Sequence, residues 1–218
     1  MTTRRISGEL GVTGSMRRML FLWLVWMCAV VALPAAANVT AGQPAPAFAL
    51  SDTGGKVISL SDFKGRTVVL EWINPGCPFV QKHYRSANMP TTQKAAADKG
   101  VVWLAINSTA TSATDYLAPP ALASWMQQHQ AQVTATLMDA DGRVGKAYGA
   151  RTTPQMVIID PQGVIRYAGA IDSKPTARVE DIATATNHVN QALGELLTGK
   201  PVSVPVTRPY GCSVKYAY

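Results

Sequence analysis

Charge and cysteine are both scarce in this sequence. Of its 218 residues, 15% are Asp, Glu, Lys or Arg and 47% are hydrophobic. That is too little charge for a disordered chain and enough apolar surface to bury a core. Cysteine occurs three times, as Cys28, Cys77 and Cys212, too few for a disulfide scaffold. After residue 37 no cluster of Lys and Arg occurs, and aromatics make up only 7%, so nucleic acid is excluded as an expected partner. His83, His129 and His188 share no ligand spacing, so neither a metal site nor another cofactor is expected. There is no internal repeat, and the length suits one domain plus extras.

What is present begins with a leader. Arg17 and Arg18 precede Met19–Leu33, a stretch without charge, and Pro34-Ala35-Ala36-Ala37 follows. A basic start, an apolar run and an A-x-A end describe a secretory signal peptide over residues 1–37. The competing reading is an uncleaved anchor, in which case the leader alone would meet a membrane. Cleavage after Ala37 would remove Cys28 and deliver a periplasmic or secreted protein. The net charge of +7 partly reflects the four leader arginines. Two cysteines remain, in an oxidising compartment where a pair tends to be linked. A domain of this size does not need a disulfide to be stable, so the pair calls for another reason, and chemistry is one.

Residues 38–200 read as one α/β domain and 201–218 as a Pro-rich tail carrying Cys212. Gln43–Leu50 is extended, Lys56–Leu60 a short strand, and Ser61-Asp62 caps a helical turn ending at Gly65. Thr67–Ile73 is a buried strand interrupted only by Glu71. Asn74-Pro75-Gly76 turns the chain, and Pro78 suits the first helical position after Cys77. Helix is expected through Tyr84, with Lys82, His83 and Tyr84 on its surface, and again over Thr91–Lys99. Val101–Ile106 is a second buried strand. Ser108–Pro120 reads as a loop, Ala121–Gln130 as a helix, Ala135–Met138 as a strand and Arg143–Tyr148 as a helical turn. Met156–Ile159 and Val164–Tyr167 flank Asp160-Pro161-Gln162-Gly163 as a hairpin. Val179–Leu197 carries an apolar stripe and predicts one amphipathic helix. Alternating β and α with a closing hairpin argues for an α/β sandwich.

A resemblance joins these segments. The stretches Gly42–Leu50, Leu60–Gly65, Val68-Val-Leu-Glu-Trp72 and Cys77-Pro-Phe-Val80 resemble the redoxin branch of the thioredoxin-like superfamily, the alkyl hydroperoxide reductase/thiol-specific antioxidant family. So do Asp141–Gly149, Thr153-Pro154 and Val157–Gly163, and the likeness runs from about Gln43 to Asp172. It implies a three-layer sandwich around a central mixed β-sheet, and thiol-dependent oxidoreductase chemistry, either peroxidase-like or thiol–disulfide exchange. A peroxide or a thiol or disulfide protein would be the partner.

The residues themselves point to Cys77. A cysteine at a helix start has its thiolate favoured by free N–H groups and the helix dipole, and the thiolate is the nucleophile. The resemblance places the attacking cysteine at the same position. The second cysteine of a C-x-x-C motif is Val80 here, so exchange needs Cys212, the one other thiol of the mature chain, and a reversible Cys77–Cys212 disulfide is expected. The alternative is a binding module in which the same bridge is a permanent brace. Glu71 has apolar neighbours on its strand face; it is either a strand-edge residue reaching solvent or a buried acid whose pKa burial would raise, fitting it to accept a thiol proton. The resemblance makes Thr153-Pro154 the cis-proline loop, whose Thr153 backbone would pair with an extended substrate. Peroxiredoxins carry Thr or Ser where Asn74 stands and Pro where Leu70 stands. Asn74 can still donate a hydrogen bond, and Arg151, close to Pro154, reads either as a solvated loop arginine or as a residue that helps bind an anionic or peroxide oxygen.

Overall fold

The run at 67–73 is buried along its whole length because both of its faces are covered. The computed structural model of the protein describes residues 1–3 and 40–217. The expected leader and its expected cleavage site lie outside the described residues, and the account below concerns residues 40–217.

In chain order the elements are β1 (Ala49–Asp52), β2 (Val57–Ser59), a 3-10 turn (Leu60–Phe63), β3 (Val68–Trp72), α1 (Pro78–Arg85), α2 (Asn88–Ala97), β4 (Val102–Asn107) and α3 (Pro119–Gln128). There follow β5 (Ala135–Met138), α4 (Arg143–Ala147), β6 (Thr152–Thr153), β7 (Gln155–Ile159), β8 (Ile165–Gly169), a 3-10 segment (Val179–Thr184), α5 (His188–Leu197) and β9 (Cys212–Ser213). Seven strands form one sheet in the order β2-β1-β5-β4-β3-β7-β8. β3 pairs parallel with β4, and β4 with β5, while β1, β7 and β8 join antiparallel. The sheet is mixed, and the fold is thioredoxin-like.

Strand alternation divides β3 between two cores. Val69 and Ile73 point into a cluster with Cys77, Val80, Tyr84, Trp103, Ile158 and Val189. Val68, Leu70 and Trp72 point into the other, with Leu104, Ile106, Val144 and Tyr148. α1, α2, α3 and α5 cover the first face, and α4 with the Leu60–Phe63 turn the second. This is the three-layer arrangement the sequence implied.

Two expectations need correction. Val179–Leu197 is two elements: the 3-10 segment stops, Ala185 is extended, and Asn187 caps α5 by accepting from Asn190 N–H at 2.9 Å. The break is held by pairing across to the end of β8's connection, where His188 N–H donates to Ile171 C=O at 3.0 Å. Lys82, His83 and Tyr84 are buried, not surface residues, because α1 is covered on two sides, by the core and by the tail. The tail itself is ordered and contains a strand, β9, which pairs with β6.

Candidate active site

The chain leaves β3 through Ile73 and reverses in a turn built by Asn74. The Asn74 Oδ1 accepts from Gly76 N–H at 2.8 Å and its Nδ2 donates to Asp115 at 2.7 Å. Both ends of the side chain are therefore committed. The turn delivers Cys77 to the N-cap of α1, with extended backbone angles and Pro78 after it. Its carbonyl accepts from Gln81 N–H at 2.9 Å, so the helix starts at this residue. The residue therefore stands at the positive end of the helix, although its sulfur takes no capping hydrogen bond.

Cys77 is 2% exposed, and its Sγ donates to the Thr153 carbonyl at 3.0 Å. The Thr153–Pro154 peptide is cis. Across from Thr153, in register, lies Cys212, with Thr152 opposite Ser213. The tail thus occupies the Thr153 backbone that the sequence reading reserved for an extended substrate. Arg151 joins the site through its backbone: its carbonyl accepts from Val214 N–H at 3.0 Å. Both cysteines are free thiols. Burial pushes the pKa of Cys212 well up, and the hydrogen bond and charge of the adjacent Cys77 sulfur add to the rise.

Glu71 is fully buried. It accepts from Trp103 Nε1 at 2.7 Å, from Gln93 Nε2 at 3.0 Å and from the Tyr84 hydroxyl at 3.0 Å. Burial pushes its pKa up to about 7 against these three hydrogen bonds, which favour the ion. Neither cysteine is among its hydrogen-bond partners in the described residues. It reaches the site through Tyr84, which belongs to the helix that Cys77 begins.

A second group of residues went unread in the sequence. Lys82 Nζ lies 3.4 Å from Asp172 Oδ2 and donates to the Lys174 carbonyl at 3.0 Å. The Tyr210 hydroxyl donates to Asp172 Oδ1 and lies 3.2 Å from His83 Nε2. Tyr210 gives its one proton to Asp172, so His83 Nε2–H donates to the phenol oxygen and Nδ1 accepts from the Asn88 amide at 2.8 Å. Burial lowers the His83 pKa to about 4, in keeping with that neutral ring. The one signal available in advance was a tyrosine two residues before Cys212.

A helix-start thiol, a second thiol paired beside it and a mixed sheet beneath define a thioredoxin-like redox protein. The AhpC/TSA family model matches residues 41–168, more than half the chain, and the chain belongs to that family. It is 29% identical over 128 residues to the thiol-disulfide oxidoreductase ResA of Bacillus subtilis, spanning 59% of this chain and 66% of ResA. It is 30% identical over 158 residues to a candidate peroxiredoxin of Mycobacterium tuberculosis, spanning 70% of this chain and 91% of that protein. A solved structure of a hypothetical protein from Sinorhizobium meliloti aligns with a TM-score of 0.70 at 25% identity, over 83% of this chain and 97% of that one.

Proposed function

We propose that this protein is an exported thiol–disulfide oxidoreductase whose working couple is Cys77 and Cys212. One observation carries the reading: β9 pairs with β6 so that Cys212 lies opposite Thr153, whose carbonyl accepts from the Cys77 thiol. Cys77, at the helix start, is the attacking thiol. It cleaves the substrate's S–S bond and forms a mixed disulfide. Cys212 then attacks the Cys77 sulfur, releasing the second substrate thiol and closing the Cys77–Cys212 disulfide, so that two electrons have passed to the substrate. An external thiol pair reverses the cycle.

Exchange is favoured over peroxide reduction by Asn74. The position where a peroxiredoxin carries a hydroxyl holds an amide already engaged by Asp115 and Gly76. Thr153 and Pro154 hold the sulfurs in place, Arg151 braces the tail, and Glu71 is the buried acid beneath α1. Export rests on the leader, and the intact mass of the secreted protein, starting at Asn38, tests it.

The function is tested with the full chain and its Cys77→Ser and Cys212→Ser variants. The wild type is expected to reduce a protein disulfide and to show the linked pair on peptide mapping, while Cys77→Ser is inactive. Rapid consumption of hydrogen peroxide with no disulfide reductase activity would replace this reading with a peroxidase. In that case Cys212→Ser would accumulate sulfinic acid at Cys77.

A further inference from the structure

We propose that Tyr210 is a positioning residue for the redox couple, latched onto one face of α1 so that Cys212 is held against Cys77. The proposal rests on the reading of Cys77 and Cys212 as the working pair.

Residues 79, 82 and 83 stand at i, i+3 and i+4 on α1, which makes them neighbours on a single helix face. All three meet the same side chain. The Phe79 and Tyr210 rings pack edge to face with centroids 5.8 Å apart. Lys82 Nζ lies 5.6 Å from the centre of the Tyr210 ring, within cation–π range. His83 Nε2 reaches the hydroxyl, which is also bound by Asp172. The side chains of Lys82, His83 and Asp172 are 0%, 0% and 1% exposed. This is a built polar socket, and isolated buried charges are costly unless each is paired.

Its place explains its use. Cys77 is the N-cap of the helix that forms the socket, and Tyr210 precedes Cys212 by two residues. One thiol is therefore fixed to the helix, and the other is tied to the same helix through three consecutive residues. The remainder of the tail is fastened independently. Thr207 N–H donates to the Ala168 carbonyl at 3.2 Å, and Ala110 N–H donates to the Lys215 carbonyl at 2.7 Å. The tail therefore stays on the body without Tyr210, and the latch sets how closely Cys212 is held to Cys77. In thermodynamic terms it sets the effective concentration of one thiol at the other.

The test is the rate of ring closure in the full-length protein. A reduced chain is mixed with an aryl disulfide that releases a coloured thiolate. One protein thiolate attacks the reagent's sulfur, its S–S bond breaks and the first coloured thiolate leaves. The second protein thiol, losing its proton to solvent, attacks the resulting mixed disulfide and expels the second. The first step depends on reagent concentration and the second does not, so the two are separable whichever cysteine reacts first.

Wild-type protein should release two equivalents with a fast intramolecular phase. Tyr210→Phe, which keeps the ring and removes the hydroxyl, should slow that phase about tenfold and raise the potential of the couple by about 30 mV. Phe79→Leu, which leaves the buried ion pair in place, should move both quantities in the same direction and serves if Tyr210→Phe does not fold. A contact that served stability alone would lower the melting temperature and leave closure rate and potential unmoved. Wild-type closure rate and potential, within twofold and a few millivolts, in the folded variants would overturn the latch while the couple stands. Absence of an intramolecular phase in the wild type would overturn both.

Discussion

Gly211 lies against the carbonyl of Thr153 so closely that a Cβ at position 211 would overlap the carbonyl oxygen and carbon. Its φ of +139° is a conformation that side-chain-bearing residues rarely adopt. The same carbonyl takes the hydrogen bond from Cys77. Gly211→Ala is therefore expected to lift Cys212 out of register with Thr153. Disulfide formation between Cys77 and Cys212 should fall at least tenfold in that variant, read by non-reducing peptide mapping after a timed oxidation.

Two buried groups set opposing pH dependences. Glu71 is raised from 4.5 to about 7, so the folded state binds the proton more tightly. Its contribution is complete below pH 4.5 and is lost as pH rises through 7. His83 is lowered from 6.5 to about 4, so its contribution is present above 6.5 and is lost as pH falls toward 4. Each is worth about 3 kcal/mol at about 1.4 kcal/mol per pH unit, and over pH 4.5–6.5 they nearly cancel. Wild-type stability should be almost flat there, Glu71→Gln should rise with pH, and His83→Gln should fall with pH. Urea unfolding at intervals of half a pH unit measures all three.

The Glu71→Gln variant also reads the carboxyl's part in exchange. Proton transfer through Glu71 predicts a rate lower by roughly 10²–10⁴ at pH 7. A wild-type rate would assign the carboxyl to folding alone.

Removing one member of the Lys82–Asp172 pair leaves a carboxylate buried without its cation. Lys82→Met should destabilise the protein by about 3–5 kcal/mol, seen as a lower urea midpoint with an unchanged slope. A loss below about 1 kcal/mol would mean that Tyr210 and the Lys174 N–H, which also donates to Asp172 at 2.9 Å, suffice for the charge.

Asn74→Asp tests the turn. It would place a second carboxylate within hydrogen-bond distance of Asp115, where two like charges cannot both ionise freely. The variant should match the wild type near pH 4 and lose stability and exchange rate together as pH rises toward 7.

Local pattern carried much of the architecture. Ala135–Met138 was readable to the residue because a β-branched and apolar run ends in polar loops on both sides. The helix at Pro78 followed from the proline and the turn before it, and Glu71 stood out against Val69 and Ile73. Sheet order was not legible, since no run of residues states its neighbour. Nor was the break at 185–187, where stripe periodicity continues although backbone pairing to Ile171 and Ser173 interrupts the helix. Lys82 and His83 were misplaced for one reason. Their cover comes from residues 172 and 210, and helical periodicity knows only the helix's own sequence. β9 has two residues, too short for alternation to register, so that the tail's pairing with Thr152–Thr153 had no signature.

The pairing of β6 with β9 also orders events in the making of the protein. A chain emerging from its N-terminus at about 5–20 residues per second completes β1 to β8 and the helix bearing Cys77 well before residue 212 appears. Through that interval Cys77 is the only cysteine of residues 40–211, so no disulfide can form within that part. On the proposed pairing, arrival of β9 supplies the internal partner: the Cys212 thiol attacks the Cys77 sulfur of any disulfide formed with another molecule, releases that molecule and closes the couple. A chain cut between α5 and Cys212 would keep all seven strands of the main sheet and, on the same pairing, hold Cys77 without its internal partner, so that this thiol could only react outward.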